Sequence, residues 1–183
     1  MDGARPAEPG DVAAIADLAR AGITELGAIR GGGIWQRREA RQHPLEPALE
    51  AAIAGQGPDA LAVVGTIHET VVGYGLSHIE TLPDGGRLAV VTDLYVDPEA
   101  RGVGVGEAMM DLLVAHAEAA GAVGIDALAL PGDRSTKNFF ETFGLKARAI
   151  VVHRPLGAAA EQAAADRAAR RGPAVVEVEV ADS

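Results

Sequence analysis

The chain has 183 residues, 48% hydrophobic and 23% charged, with a formal net charge of −10 and no cysteine. That size and apolar content suit one packed domain with an appendage and do not read as disorder. Disulfides, thiolate metal sites and cysteine nucleophiles are excluded, and the acidic balance argues against a broad nucleic-acid footprint. The five histidines show no HxxxH spacing, so no zinc or other metal site is expected. No apolar run approaches the ~18 residues of a membrane span, and the opening MDGARPAEPGD lacks a secretory signal. The expectation is a cytoplasmic protein with neither a membrane nor a nucleic-acid partner.

In chain order, Ala4–Ala7 reads as a short strand. A helix follows from Asp11, its capping residue, with Val12, Ile15 and Leu18 on one face. Ile29–Pro44 is a glycine-rich loop leading into polar sequence, and Leu45–Ala54 is a second helix. Ala60–His68, Thr70–Thr81 and Leu88–Val96 form three strands, joined by a tight turn at Glu69 and by Leu82–Gly86. A helix over about Gly104–Ala120 carries Val105, Met109, Leu112 and His116 at helical spacing. Val123–Leu130 reads as a strand, Arg134–Phe143 as a short helix and Leu145–Arg154 as a last strand. The order predicts an α/β (α+β) chain with a mixed sheet. Past Gly157 the composition changes to an Ala-rich helix and then AVVEVEV, whose alternation predicts that Ala174–Val180 adds to a sheet edge. The domain is expected over 1–156, with a helix–strand extension over 157–183. Strand exchange through that extension would make a homodimer.

The segment RGVGVG, Arg101–Gly106, carries the chemistry. A Rossmann turn needs GxGxxG directly after a strand; here Glu107 and Met109 stand where the last glycine belongs. A Walker loop needs GK[ST], which is absent. What fits is [QR]xxGx[GA] at a helix start. Successive amides there, with the helix dipole behind them, point at a diphosphate, and glycines let its oxygens approach.

DLYVDPEARGVGVG, followed by AVGIDALAL, DRSTKNFFETFGL and KARAIVVHRPL, resembles the GNAT family of N-acetyltransferases. So does the opening RPAEPGDVAAIADL, and the resemblance runs from about Ala4 to Leu156. It implies a mixed, mostly antiparallel sheet with helices on both faces and a V-shaped opening between two strands, where acetyl-CoA lies as co-substrate. The backbone of Leu94, Tyr95 and Val96 would pair with the pantetheine arm and offer an amide to the thioester carbonyl. Arg101, Gly102, Val103, Gly104, Val105 and Gly106 would hold the pyrophosphate. A small-molecule amine or a protein amino group would attack the thioester directly, in a ternary complex.

Two positions depart from the family. The tyrosine that protonates the departing thiolate falls on Phe140, and the asparagine seven residues earlier on Asp133. The glutamate base falls on Thr92, beside Asp93. Water is then the acid, and the base is Asp93, His78, Glu80 or a water held by Thr92; a general base is worth about 10²–10⁴-fold. Asp93 could equally pair with Arg101. Trp35, Tyr74 and Glu80 are the acceptor-side candidates, whereas Arg37, Arg38, Glu39 and Arg41 read as a solvated face. The alternative function is a silent acyl-CoA-binding module of the same fold. A toxin-type transferase acting on charged tRNA is disfavoured by the acidity.

Overall fold

The computed structural model describes residues 3–171, which fall into two compact units meeting at Lys146 and Ala147. The first unit holds β1 (Gly3–Pro6), α1 (Val12–Gly27), α2 (Gly32–Arg38), α3 (Leu45–Ala54), β2 (Ala60–Ile67), β3 (Thr70–Thr81) and β4 (Arg87–Val96). It ends with α4 (Val105–Ala119), β5 (Ile125–Ala127) and α5 (Arg134–Thr142). The five strands lie in chain order, antiparallel except for the parallel pair β4–β5. This is the mixed sheet that the order of elements in the sequence implies.

Because successive strand residues face opposite sides, the valines of β2 feed two cores. Ala62 and Val64 pack with Ile15, Leu45 and Leu49 of α1 and α3, together with Tyr74, Leu76 and Tyr95. Val63 packs on the other face with Val105, Met109, Met110 and Leu113 of α4 and Phe140 of α5. Helices therefore cover both faces. Leu113 is wholly buried, so truncating it to alanine costs about 2–5 kcal/mol.

Several local expectations are corrected. Asp11 sits at the head of α1, but its carboxylate makes no cap to that helix. It accepts both terminal nitrogens of Arg5 at 2.7 and 2.9 Å and the Glu8 amide at 2.8 Å. A charged fork on a nearly buried carboxylate is stronger than a neutral cap bond. Part of the expected loop over Ile29–Pro44 folds as α2, entered through Gly31 at φ +92°. The strand expected over Val123–Leu130 is only Ile125–Ala127, since only Ala89–Val91 pairs with it.

Residues 145–156 form no strand. A strand exists only where a neighbour completes its ladder, and no pairing among the described residues involves them. The second unit is irregular over 147–157 and then forms α6 (Ala158–Arg171), where the Ala-rich sequence predicts a helix. The expected strand Ala174–Val180 lies outside the described residues.

Two irregularities in β4 prepare the site. Its register against β3 jumps from Leu76↔Asp93 to Ser77↔Val91, leaving Thr92 as an extra, bulged residue. Its pairing with β5 stops at Val91↔Ala127, while β4 itself continues to Val96.

Candidate active site

Where β4 and β5 stop pairing, a cavity of about 490 Å³ opens. Leu94 and Val96 line one side of it, and Leu128 and Leu130 the other. The Asp97 amide donates back to Val72 O of β3 at 2.8 Å. Strand alternation therefore turns the Val96 and Leu94 amides away from β3, toward the cavity. The Val96 carbonyl, on that same side, accepts from Arg101 Nε at 2.9 Å. The strand edge here is a ladder without a partner strand, fit to bind an extended amide-bearing chain.

The glycine turn closes one end. Gly102 and Gly104 hold φ of +78° and +90°, a region that costs side-chain-bearing residues about 1–2 kcal/mol. A Cβ on either would meet nothing within 4 Å, so the turn is open above its backbone. Gly104 caps α4, and the first helical amide to find a carbonyl is Ala108, donating to Gly104 O at 3.0 Å. The amides of Val105, Gly106 and Glu107 therefore have no partner within the helix. Gly102 and Gly106 line the cavity; the Val103 side chain is exposed and Val105 packs into the core, so both contribute backbone alone.

Arg101 begins this turn, and its charge is already matched. Nη1 and Nη2 donate to Glu25 Oε1 and Oε2 at 2.9 and 2.8 Å. Its guanidinium also stands 5.3 Å from the centre of the Tyr95 ring. Tyr95 donates to Glu25 at 3.0 Å, and its ring lies flush on α1 because Gly22 has no Cβ to meet it. The hydrogen bonds from Arg101 hold Glu25 below the ordinary carboxylate value. Burial, with Glu25 adjoining, pushes the Tyr95 phenol up to about 12.

A second knot surrounds Asp93, one residue before the first cavity-facing amide. Its Oδ2 accepts from Arg41 Nη2 at 2.7 Å and from Thr92 Oγ1 at 2.8 Å. Its Oδ1 receives only Tyr74, at 3.3 Å. Burial raises the Tyr74 phenol well above its ordinary value, and the Asp93 charge adds to this. Tyr74 is thus a donor at neutral pH. Asp93 pairs with Arg41 and not with Arg101, and Arg41 leaves the solvated face expected of it.

Asp133 caps α5, accepting the Thr136 amide at 2.9 Å and Ser135 Oγ at 2.7 Å. Burial alone would raise its pKa, but these bonds and that of Thr136 Oγ1 outweigh it and leave the carboxyl below its ordinary value. Phe140, on the same helix, is buried at the cavity wall against Phe139. Trp35 lines the cavity as well. His78 and Glu80 do not; they pair with each other at 3.2 Å farther along β3, both about half exposed. Glu25, which sequence reasoning did not single out, and Arg41, which it read as a solvated face, are charged lining residues. No local pattern marks them, since their partners lie 76 and 52 residues away.

An open sheet that parts between β4 and β5, with a glycine turn and a helix start at the parting, has the form of an acetyltransferase fold. The Acetyltransferase (GNAT) family model matches residues 33–145, more than half of the chain, and the protein belongs to that family. Among solved structures, a tetramutant of the BH1408 protein of Bacillus halodurans is 21% identical with TM-score 0.66, covering 84% of this chain and 99% of its own. Ribosomal-protein-alanine N-acetyltransferase of Brucella melitensis is 18% identical with TM-score 0.61, covering 86% and 100%. A soil-metagenome aminoglycoside acetyltransferase in complex with sisomicin is 17% identical with TM-score 0.60, covering 84% and 94%. At such identity these likenesses speak for the fold alone. No curated protein matches the chain. Among the described residues no helix is long and apolar enough to cross a membrane, and no cluster of potential metal ligands occurs.

Proposed function

We propose that this protein is an N-acetyltransferase that moves an acetyl group from acetyl-CoA to a primary amine by direct attack. The observation that carries this reading is the conjunction, in one cavity, of the unpaired β4 edge, the open glycine turn and Asp93.

The residues present fit that co-substrate. The Leu94 and Val96 amides suit the pantetheine arm, and the backbone over Gly102–Glu107 suits the diphosphate. Bound there, acetyl-CoA supplies the activated acetyl group. Asp93 Oδ1, the less occupied carboxylate oxygen, orients the acceptor ammonium and takes its proton. A cavity-facing β4 amide offers a fixed dipole where oxygen charge develops. The other candidate bases, His78 and Glu80, stand away from the cavity. With Phe140 on α5 and the Thr92 hydroxyl donated to Asp93, the thiolate takes its proton from water.

Calorimetry with CoA and a thiol-release assay with acetyl-CoA and a panel of amines test this. Tight CoA binding with turnover of at least one amine is expected, and Asp93→Asn keeps the binding while slowing turnover about 10²–10⁴-fold. Binding without turnover over any amine would leave a silent acyl-CoA-binding module. No binding at all would remove the reading.

A further inference from the structure

We infer that the acceptor is a free α-amino acid with an apolar side chain, held through its carboxylate by Arg41 and through its amino group by Asp93. This rests on the acetyl-transfer reading above and adds the substrate class.

Arg41 and Arg101 are the two cations lining the cavity. The fork of Arg101 is spent on Glu25 and its Nε on Val96 O. Arg41 is only partly engaged. Nη2 is on Asp93, and Nε is enclosed without a partner. Nη1 has no protein partner among the described residues and is not enclosed, which leaves it as the open nitrogen. Asp93 mirrors this arrangement: Oδ2 is filled by Arg41 and Thr92, and Oδ1 takes only the long Tyr74 bond. The unspent donor and the unspent acceptor thus stand one ion pair apart.

A zwitterion in which one carbon separates ammonium from carboxylate is complementary to such a pair, each charge meeting its opposite. A simple amine fills only the Asp93 end and, in displacing water, leaves Arg41 Nη1 without a hydrogen-bond partner. That loss is the usual source of strong discrimination by polar sites. Ile23, Leu26, Ile29 and Trp35 supply an apolar wall for the side chain. Attack joins the amine nitrogen to the acetyl carbonyl carbon as the carbon–sulfur bond breaks. Of the two protons that the ammonium nitrogen loses in becoming an amide, one goes to Asp93 Oδ1 before attack and on to solvent. The other passes through water to the departing thiolate, which leaves as the thiol.

The test uses matched triplets: L-leucine, L-methionine and L-phenylalanine, each with its amide and its decarboxylated amine. Thiol release is measured with acetyl-CoA, and binding to the CoA-loaded protein by calorimetry. In the unmodified protein, kcat/KM for at least one amino acid should exceed that of its amide and its amine by about 10- to 100-fold, the worth of a charge-assisted hydrogen bond. In Arg41→Gln the ratio should fall to near one, and Arg41→Lys should restore part of it. Ratios within a single variant do not depend on the folded fraction, so partial unfolding does not mask the result. Equal use of all three members of each triplet, or a preference that survives Arg41→Gln, overturns the inference while acetyl transfer stands. If no amine releases thiol, acetyl transfer itself falls and calorimetry decides. Amino-acid binding that is tighter than that of the amide and lost in Arg41→Gln upholds the site. Its absence removes the site.

Discussion

Arg101 and Glu25 meet fork to fork, Nη1 on Oε1 at 2.9 Å and Nη2 on Oε2 at 2.8 Å, and so tie the end of α1 to the start of the glycine turn. Both side chains are about two-fifths exposed, at 44% and 40%. As an exposed pair it contributes only about 0–1 kcal/mol to stability. Its larger effect is electrostatic, because Glu25 neutralises the cation nearest the turn. Glu25→Gln should therefore leave the melting temperature nearly unchanged and raise CoA affinity about threefold, with a steeper salt dependence. Calorimetry at two ionic strengths checks this; a tenfold fall in affinity would show that the pair builds the turn instead.

The glycines of the turn separate by backbone. Gly104 is left-handed with open space around its Cβ position. Gly104→Ala should thus cost about 1–2 kcal/mol of stability through conformation alone and weaken CoA binding. At Gly106 no left-handed φ is required, and a Cβ would touch the Phe139 ring at 3.4 Å. Gly106→Ala should stay within about 1 kcal/mol in stability and keep CoA affinity. Denaturant unfolding and calorimetry on the two variants check the contrast, and an equal loss in both would contradict it.

Phe140 stands at the position where the family resemblance implies a tyrosine, buried at 7% exposure and edge-on to Phe139 at 5.7 Å. Phe140→Tyr should keep CoA binding and raise turnover by placing a proton donor at the cavity wall. Phe140→Ala should lose about 3–5 kcal/mol of stability. A slower tyrosine variant with normal CoA binding would mean that another group already delivers the proton.

Asp11 gives the chain an acid-labile joint. The Arg5 hydrogen bonds hold its carboxyl below the ordinary value, against the cost of burial. A depressed folded-state pKa adds stability above the unfolded value of about 3.9 and loses it as pH falls through the folded value. Asp11→Asn should therefore cost about 1–3 kcal/mol at neutral pH, and the difference should shrink steadily below about pH 4. Urea titrations along that range check the sign. A difference that widened toward acid would refute it.

What the sequence determined by itself is what short-range physics specifies. Period-two runs mark β2, β3 and β4, and Thr70–Thr81 is bounded as the pattern predicts. Arg101–Gly106 announces a glycine turn before a helix because only glycine takes φ near +80° to +90° cheaply, and Gly102 and Gly104 do so. Tertiary structure decided everything that depends on a distant partner. The apolar run Val123–Leu130 is strand only where Ala89–Val91 reaches it, and Leu145–Arg154 finds no ladder among the described residues. Arg41 looked like one of a solvated set with Arg37 and Arg38 until the fold carried it 52 residues along the chain to Asp93. An ion pair has no period and leaves no trace in local composition. Its partners are chosen by the sheet register and by the bulge at Thr92, which brings Asp93 into the cavity beside Tyr74.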